Sequence, residues 1–280
     1  MTAATQSRDI DFLKEQARKV RLRILKMLAG AGSGHTGGSL SAADLATALF
    51  FYKMRHRPDD PEWPERDRFV LSKGHAAPLL YTVLALSGYF DPSILDTLRK
   101  TGSPLQGHPC SKLLSGVEVS TGSLGQGLSI AGGMAMGLRL DNSPSRVYCL
   151  MGDGETQEGQ IWEAAMTAGH YRLDNLCGIV DMNGLQIDGK CCDVMKVEPA
   201  ADKWSAFGWH VLEIDGHDMR AIAEALDEAE KIKGRPTMIA ASTVKGKGVS
   251  FFEHKVEYHG LAPTADELEK ALKELGENGR

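Results

Sequence analysis

Apolar residues recur at spacings of three and four near the amino terminus: Leu13, Ala17, Val20, Ile24 and Met27. That period makes a single stripe and predicts a helix over residues 10–29. Arg18, Lys19, Arg21, Arg23 and Lys26 fill much of the remaining surface, as on a solvated face. Gly30, Gly32 and Gly34 stop the helix. A second one is expected to start near Ser41, with Asp44 three residues on in a looser form of the capping box. Residues 53–67 read as a polar, proline-containing connector, RFVLS (68–72) as a short strand and 76–87 as a helix. DPSILDTLRK predicts a further helix with Pro92 in its first turn. Residues 101–122 are then a long loop rich in Gly, Ser and Pro, and long loops inside compact domains are often functional.

From residue 124 the pattern becomes regular. A small-residue helix (LGQGLSIAGGMAMGLRL) leads to a strand (RVYCLMG), a helix over about 158–170 and a strand (NLCGIVDM). A loop to about 200, the strand WHVLEID, the helix DMRAIAEALDEAEKIK and the strand TMIAAST follow. Strands that alternate with helices and read as continuous apolar runs predict a parallel sheet covered on both faces. The expected fold class is α/β, a doubly wound, mainly parallel sheet with helices on both faces. One domain is expected over 1–280: a helical, loop-rich part (1–122), a regular α/β part (123–262), and a charged amphipathic helix and tail (263–280).

Composition narrows the function. The net charge of −5 over 280 residues gives neither nucleic acid nor a membrane surface the basic footprint it needs. The amino terminus has no apolar signal-peptide core, and no run approaches the roughly 18 apolar residues of a membrane span. Five cysteines (Cys110, Cys149, Cys177, Cys191, Cys192) show neither zinc-ligand nor redox-motif spacing, which fits reduced thiols in the cytoplasm. Glycine is the outlier, at 31 residues, above the roughly 7% of ordinary proteins. Its clustering implies backbone packed closely against something.

In open parallel sheets ligands bind beyond the carboxyl ends of the strands. GDGETQEGQ (152–160) places Asp153 at one such end, and NGLQIDG places Asn183 at the next. Alone, GDG reads more readily as a plain turn. Paired with an amide oxygen about 30 residues on, the carboxylate can grip a hard cation, with carbonyls or ligand phosphates filling magnesium's octahedron. Gly154 and the helix start behind it favour a diphosphate. KGKG (245–248) lacks the spacing of a phosphate loop and reads as a turn after the last strand. Glu155 reads as a first-turn acid complementing a helix dipole.

The GDG-to-Asn spacing resembles the fingerprint of the thiamine diphosphate enzymes, with Asp181 where many members carry asparagine. GSGHTGGSLSAADL (32–45), SKGHAAPLLY (72–81), GHP (107–109), TGSLGQGLSIAGGMAMG (121–137), GDGETQEG and YHG (258–260) then occur in one order over about 230 residues. Together they resemble the amino-terminal half of transketolase. The resemblance implies thiamine diphosphate held through Mg2+ (or Ca2+ or Mn2+), with Asp153, Asn183 and the Leu185 carbonyl as metal ligands. It implies His75 and Gly154 at the diphosphate, and Gly122, Ser123 and Leu124 against the cofactor rings, Ser123 replacing a common proline. It further implies His35, His108 and His259 as proton-handling residues of the substrate channel. Glu158 matches a glutamate at the subunit interface that communicates with the partner's activating glutamate.

Transketolases usually run to more than twice this length. The resemblance therefore implies the amino-terminal subunit of a split enzyme that moves a two-carbon ketol group from a ketose phosphate to an aldose phosphate, as in pentose phosphate chemistry. A separate carboxy-terminal subunit with pyrimidine-binding and carboxy-terminal domains is expected, as α2β2. Three alternatives stay open at this point: a subunit of another thiamine diphosphate-dependent synthase or decarboxylase, a non-catalytic cofactor-binding paralogue, and a magnesium phosphohydrolase using Asp153 as nucleophile.

Overall fold

A computed structural model describes residues 6–276. The first five residues and the last four of the expected tail lie outside the described residues. Helix α1 (Ile10–Ala31) starts where the Asp9 carboxylate accepts from the Asp11 and Phe12 amides, and it closes at Gly32 with φ 64°. Its predicted stripe is buried. One basic residue departs from the solvated-face reading: Arg21 is only 7% exposed.

The second helix starts earlier than expected, as α2 (Thr36–Ser41), followed by α3 (Ala43–Ala48) and a π turn over Leu49–Lys53. Ser41 caps nothing, because its Oγ donates to the Asp181 carboxylate at 2.6 Å. Asp44 instead takes a bidentate ion pair from Arg21 at 2.9 and 2.6 Å. Strand β1 (Arg68–Leu71) and α4 (Ala77–Ser87) lie as read. The helix expected over DPSILDTLRK shrinks to a 3-10 segment, Pro92–Thr97, with Asp91 capping the Ser93 amide at 2.8 Å.

The regular part contains α5 (Gln126–Leu140), β2 (Val147–Gly152), α6 (Gly159–His170) and β3 (Leu176–Met182). The expected loop to residue 200 holds a small antiparallel pair, β4 (Leu185–Gln186) with β5 (Gly189–Lys190), and a short helix, α7 (Cys191–Val194). Helix α8 (Ala200–Ala206), which the pattern does not announce, precedes β6 (His210–Asp215), α9 (Met219–Lys231) and β7 (Thr237–Ser242). Helix α10 (Ala265–Glu274) opens on a full capping box, Thr264 with Glu267.

Five strands form one sheet in the order β1-β2-β3-β7-β6, every neighbouring pair parallel. Alternation along β2 fills both cores. Tyr148 and Leu150 join the residues of α1, α3, α4 and α9, while Val147, Cys149 and Met151 join those of α5, α6 and α8. After β3 the chain crosses to the edge strand β6 and returns as β7 between them. That reversal sets the carboxyl ends of β2, β3 and β7 side by side, where an open parallel sheet receives its ligand.

Candidate active site

Asp153 follows β2 and is 9% exposed. One of its oxygens accepts the Gly154 amide at 2.8 Å and the other accepts the Gly184 amide at 2.5 Å. The second bond reaches across to the loop after β3 and so joins the two strand tips. Asn183 Oδ1 accepts the Leu185 amide at 3.2 Å, and Asn183 Nδ2 donates to Asp181 at 2.9 Å. Burial and the charge of Asp181 push the Asp153 carboxyl up, against the pull of its two amide donors and Lys245.

Asp181 is fully buried. Burial pushes its carboxyl up, but Lys73 at 2.6 Å and the Ser41 and Thr243 hydroxyls outweigh this and hold it below its ordinary value. The buried carboxylate is thus compensated by a buried ammonium, which also donates to the Gly38 carbonyl at 2.8 Å. Lys245, 2% exposed, donates to the Leu185 carbonyl at 2.8 Å. Burial and then Lys73 bring its ammonium down to about 8.

The glycines act by close approach. A Cβ on Gly74 would stand 2.7 Å from the Gly122 nitrogen, and one on Gly127 2.7 Å from Ser72 Cα. These two contacts lock the SKGH turn against the TGSLGQG segment. Glu155 sits under that junction, 3% exposed. It accepts from Ser72 Oγ, from the Gly125 amide at 3.0 Å and from the Gly152 amide at 3.1 Å. The first-turn dipole reading of Glu155 is therefore corrected: its carboxylate ties three motif segments together from inside.

Three of the four predicted histidines meet. Ring centroids are 5.1 Å apart for His35 and His75, 5.2 Å for His75 and His259, and 5.6 Å for His35 and His259. Burial, joined by nearby cationic side chains and the neighbouring imidazoles, lowers them to about 4 (His35), about 2 (His75) and about 3 (His259). All three are neutral at neutral pH. His35 Nδ1 and His259 Nδ1 are buried with no hydrogen-bond partner among the described residues. His108 stands apart, its ring against Gly122, with burial and Arg99 lowering its pKa.

A cleft of about 280 Å³ opens over these groups. His75, Leu124, Asp153, Gly154, Glu158, Asn183, Leu185 and His259 line it, whereas His35, His108, Gly122 and Ser123 do not. Lys73, Gln157, Gln186 and Lys245 line it too, and sequence reading missed them. KGKG does form a turn, but its first lysine is a wall of the site. The signal available was position: Lys245 stands three residues beyond the end of the apolar strand Thr237–Ser242, where ligands of an open parallel sheet are received.

The family model described as the transketolase, thiamine diphosphate binding domain matches residues 13–280. The chain belongs to the transketolase thiamine diphosphate-binding family. It is similar to a 6-deoxy-6-sulfo-D-fructose transketolase subunit of Clostridium sp. (strain MSTE9), 47% identical over 267 residues, with 95% of this chain and 97% of that protein covered. It is also similar to a subunit of the apulose-4-phosphate transketolase of Phocaeicola vulgatus, 43% identical over 268 residues, covering 96% and 95%. Against the crystal structure of Campylobacter jejuni transketolase the TM-score is 0.89 at 38% identity, over 95% of this chain and 43% of that one. The chain thus spans less than half of the solved transketolase and nearly all of the relatives named as subunits. The expected α/β fold and cofactor class hold.

The residues at this transketolase-type site fit the cofactor and its metal. No three His, Cys, Asp or Glu residues converge as a metal site among the described residues. Asp153, the Asn183 amide and the Leu185 carbonyl supply one charge and two neutral oxygens. Such a set suits a hard cation whose remaining positions come from phosphate and water. The orphaned histidine nitrogens supply polar contacts that a bound ligand would satisfy.

Proposed function

We propose that the chain is the amino-terminal subunit of a transketolase, moving a two-carbon ketol group from a ketose phosphate to an aldose phosphate with a separate carboxy-terminal subunit. The observation that carries this reading is the joint at Asp153 and Gly184, beside which the oxygens of Asp153, Asn183 and Leu185 share one cleft with His75 and His259. Asp153, Asn183 Oδ1 and the Leu185 carbonyl would hold Mg2+, with Ca2+ or Mn2+ suited to the same oxygens. Thiamine diphosphate, when bound, supplies the nucleophilic carbon that carries the two-carbon unit. His75, Lys245 and the Gly154 backbone face its diphosphate, and Gly122, Ser123 and Leu124 face its rings.

His35, His108 and His259 act on the sugar. A neutral imidazole carries one N–H and one lone pair, so each can accept a hydroxyl proton or return it without first losing a charge. The low values at His35 and His259 keep both in that state through the physiological range. Glu158 is exposed at the rim and is assigned to the contact with the partner chain in an α2β2 assembly. Five free thiols agree with a cytoplasmic setting. Relatives named for sulfofructose and for apulose phosphate favour a modified or branched sugar among the substrates.

Assaying ketol transfer after the purified chain is mixed with a carboxy-terminal transketolase subunit tests this. Transfer by the mixture and negligible transfer by either chain alone is the expected result. Substantial transfer by this chain alone would overturn the split-enzyme reading.

A further inference from the structure

The KGKG turn is held from behind by a buried polar relay that the proposed chemistry does not employ. Arg21 makes two bonds to the Asp44 carboxylate, at 2.9 and 2.6 Å. Asp44 accepts His217 Nδ1 at 2.8 Å, and His217 Nε2 accepts the Val244 amide at 2.8 Å. Because a backbone N–H can only donate, Nε2 carries no proton and Nδ1 carries the ring's one hydrogen. The direction of the relay is therefore fixed: Val244 N–H to His217, His217 to Asp44, with Arg21 behind. Arg21 also closes the loop, since its Nε donates to the Lys247 carbonyl at 3.1 Å.

Both ends of the turn are thereby tied to one guanidinium, and Lys245 lies between them. Gly246 (φ +82°) and Gly248 (φ +98°) take backbone conformations that side chains avoid, and a Cβ on Gly248 would stand 3.0 Å from Arg21 Cδ. The Gly246 amide donates to the Gly37 carbonyl at 3.1 Å, which links the turn to α2 and its histidine. We infer that Arg21, Asp44 and His217 are positioning residues whose shared task is to aim the Lys245 ammonium into the cofactor cleft. None of the three lines the cleft. This rests on the proposed function only in calling the cleft a cofactor site, because the geometry of the relay stands without it.

Two measurements on the assembled two-chain protein test the inference. His217→Asn keeps a donor for Asp44 but is too short to accept from Val244. His217→Gln presents both an acceptor and a donor at the imidazole's reach. Amine acylation read by mass spectrometry should find Lys245 protected in the wild type, labelled several-fold faster in His217→Asn, and protected again in His217→Gln. Lys73 should stay protected in all three, which separates loss of aim from loss of fold.

In a double-variant cycle, His217→Asn and Lys245→Met should each weaken calorimetric binding of thiamine diphosphate with Mg2+. The double variant should bind no worse than Lys245→Met alone, since residues acting through one group are not additive. Unchanged Lys245 labelling in His217→Asn, or losses that simply add, would overturn the relay. If the wild type itself bound no thiamine diphosphate, the proposed function would fall, and Lys245 labelling would still decide the relay.

Discussion

Glu155 accepts three hydrogen bonds while almost wholly buried, so its side chain organises the floor of the cleft it helps to line. Replacing it with alanine strands the Ser72 hydroxyl and the Gly125 and Gly152 amides in a space no longer matched to them. Each buried polar group left unsatisfied costs roughly 1–3 kcal/mol. The Glu155→Ala chain is therefore expected to lose about 3 kcal/mol or more of stability, read from the midpoint of urea unfolding against the wild type. A loss within the scatter of surface substitutions would show that the junction relaxes around the gap. Neighbouring Asp153 was legible in the sequence because glycine on both sides marks a close backbone approach. The burial of Glu155 was not, because its donors come from residues 72, 125 and 152, and no local pattern records that meeting. Lys73 escaped for the same reason, and Asp181 was noticed only as a replaced asparagine: each charge is interpretable only once the other is seen 2.6 Å away.

Among the elements, α5 is out of balance as it stands. Its 15 residues carry a single charge, Arg139, yet only Gly127, Leu128, Ala131 and Ala135 are buried. The far side leaves Leu140 83% exposed, and Met166 of α6 is 56% exposed. A helix that is apolar all round belongs in an interior, which agrees with a partner chain covering this face. Gly133 offers a clean test, since a Cβ built there meets nothing within 4 Å. Gly133→Leu should fold as well as the wild type or slightly better, because glycine costs a helix about 1 kcal/mol. It should also weaken association with the proposed carboxy-terminal subunit by at least about tenfold, or roughly 1.4 kcal/mol, measured by analytical ultracentrifugation. Unweakened association would place the partner elsewhere.

Periodicity served the long elements well and the short ones poorly. Helix α1 and the five strands of the main sheet stand where the apolar pattern put them. Helix α8 was invisible because only Ala200 and Trp204 of its seven residues are buried, too few to show a period. The 3-10 segment at 92–97 has Leu95 as its one buried residue; with so little to bury, its helix stays short.

At the scale of the whole molecule, the order β1-β2-β3-β7-β6 explains why motifs nearly 100 residues apart share one cleft. Asp153, Asn183 and Lys245 follow three adjacent strands, so the sheet itself fixes their separation. The loop-rich first part contributes Lys73 and His75 just beyond the carboxyl end of β1, with His35 packed behind His75. This convergence was legible only through the ordered motifs, since no single stretch encodes it. The chain matches less than half of a solved transketolase and nearly all of relatives named as subunits. On the proposed function, the other wall of the cleft comes from a second chain.

The central claim is that Asp153 and its neighbours hold a cofactor diphosphate through a divalent metal. Calorimetric titration of thiamine diphosphate into the two-chain assembly tests it most directly. With Mg2+ the wild type should bind, and the binding should disappear on chelation and in Asp153→Ala while the assembly and its fold persist. Equal affinity without metal, or in Asp153→Ala, would contradict the account.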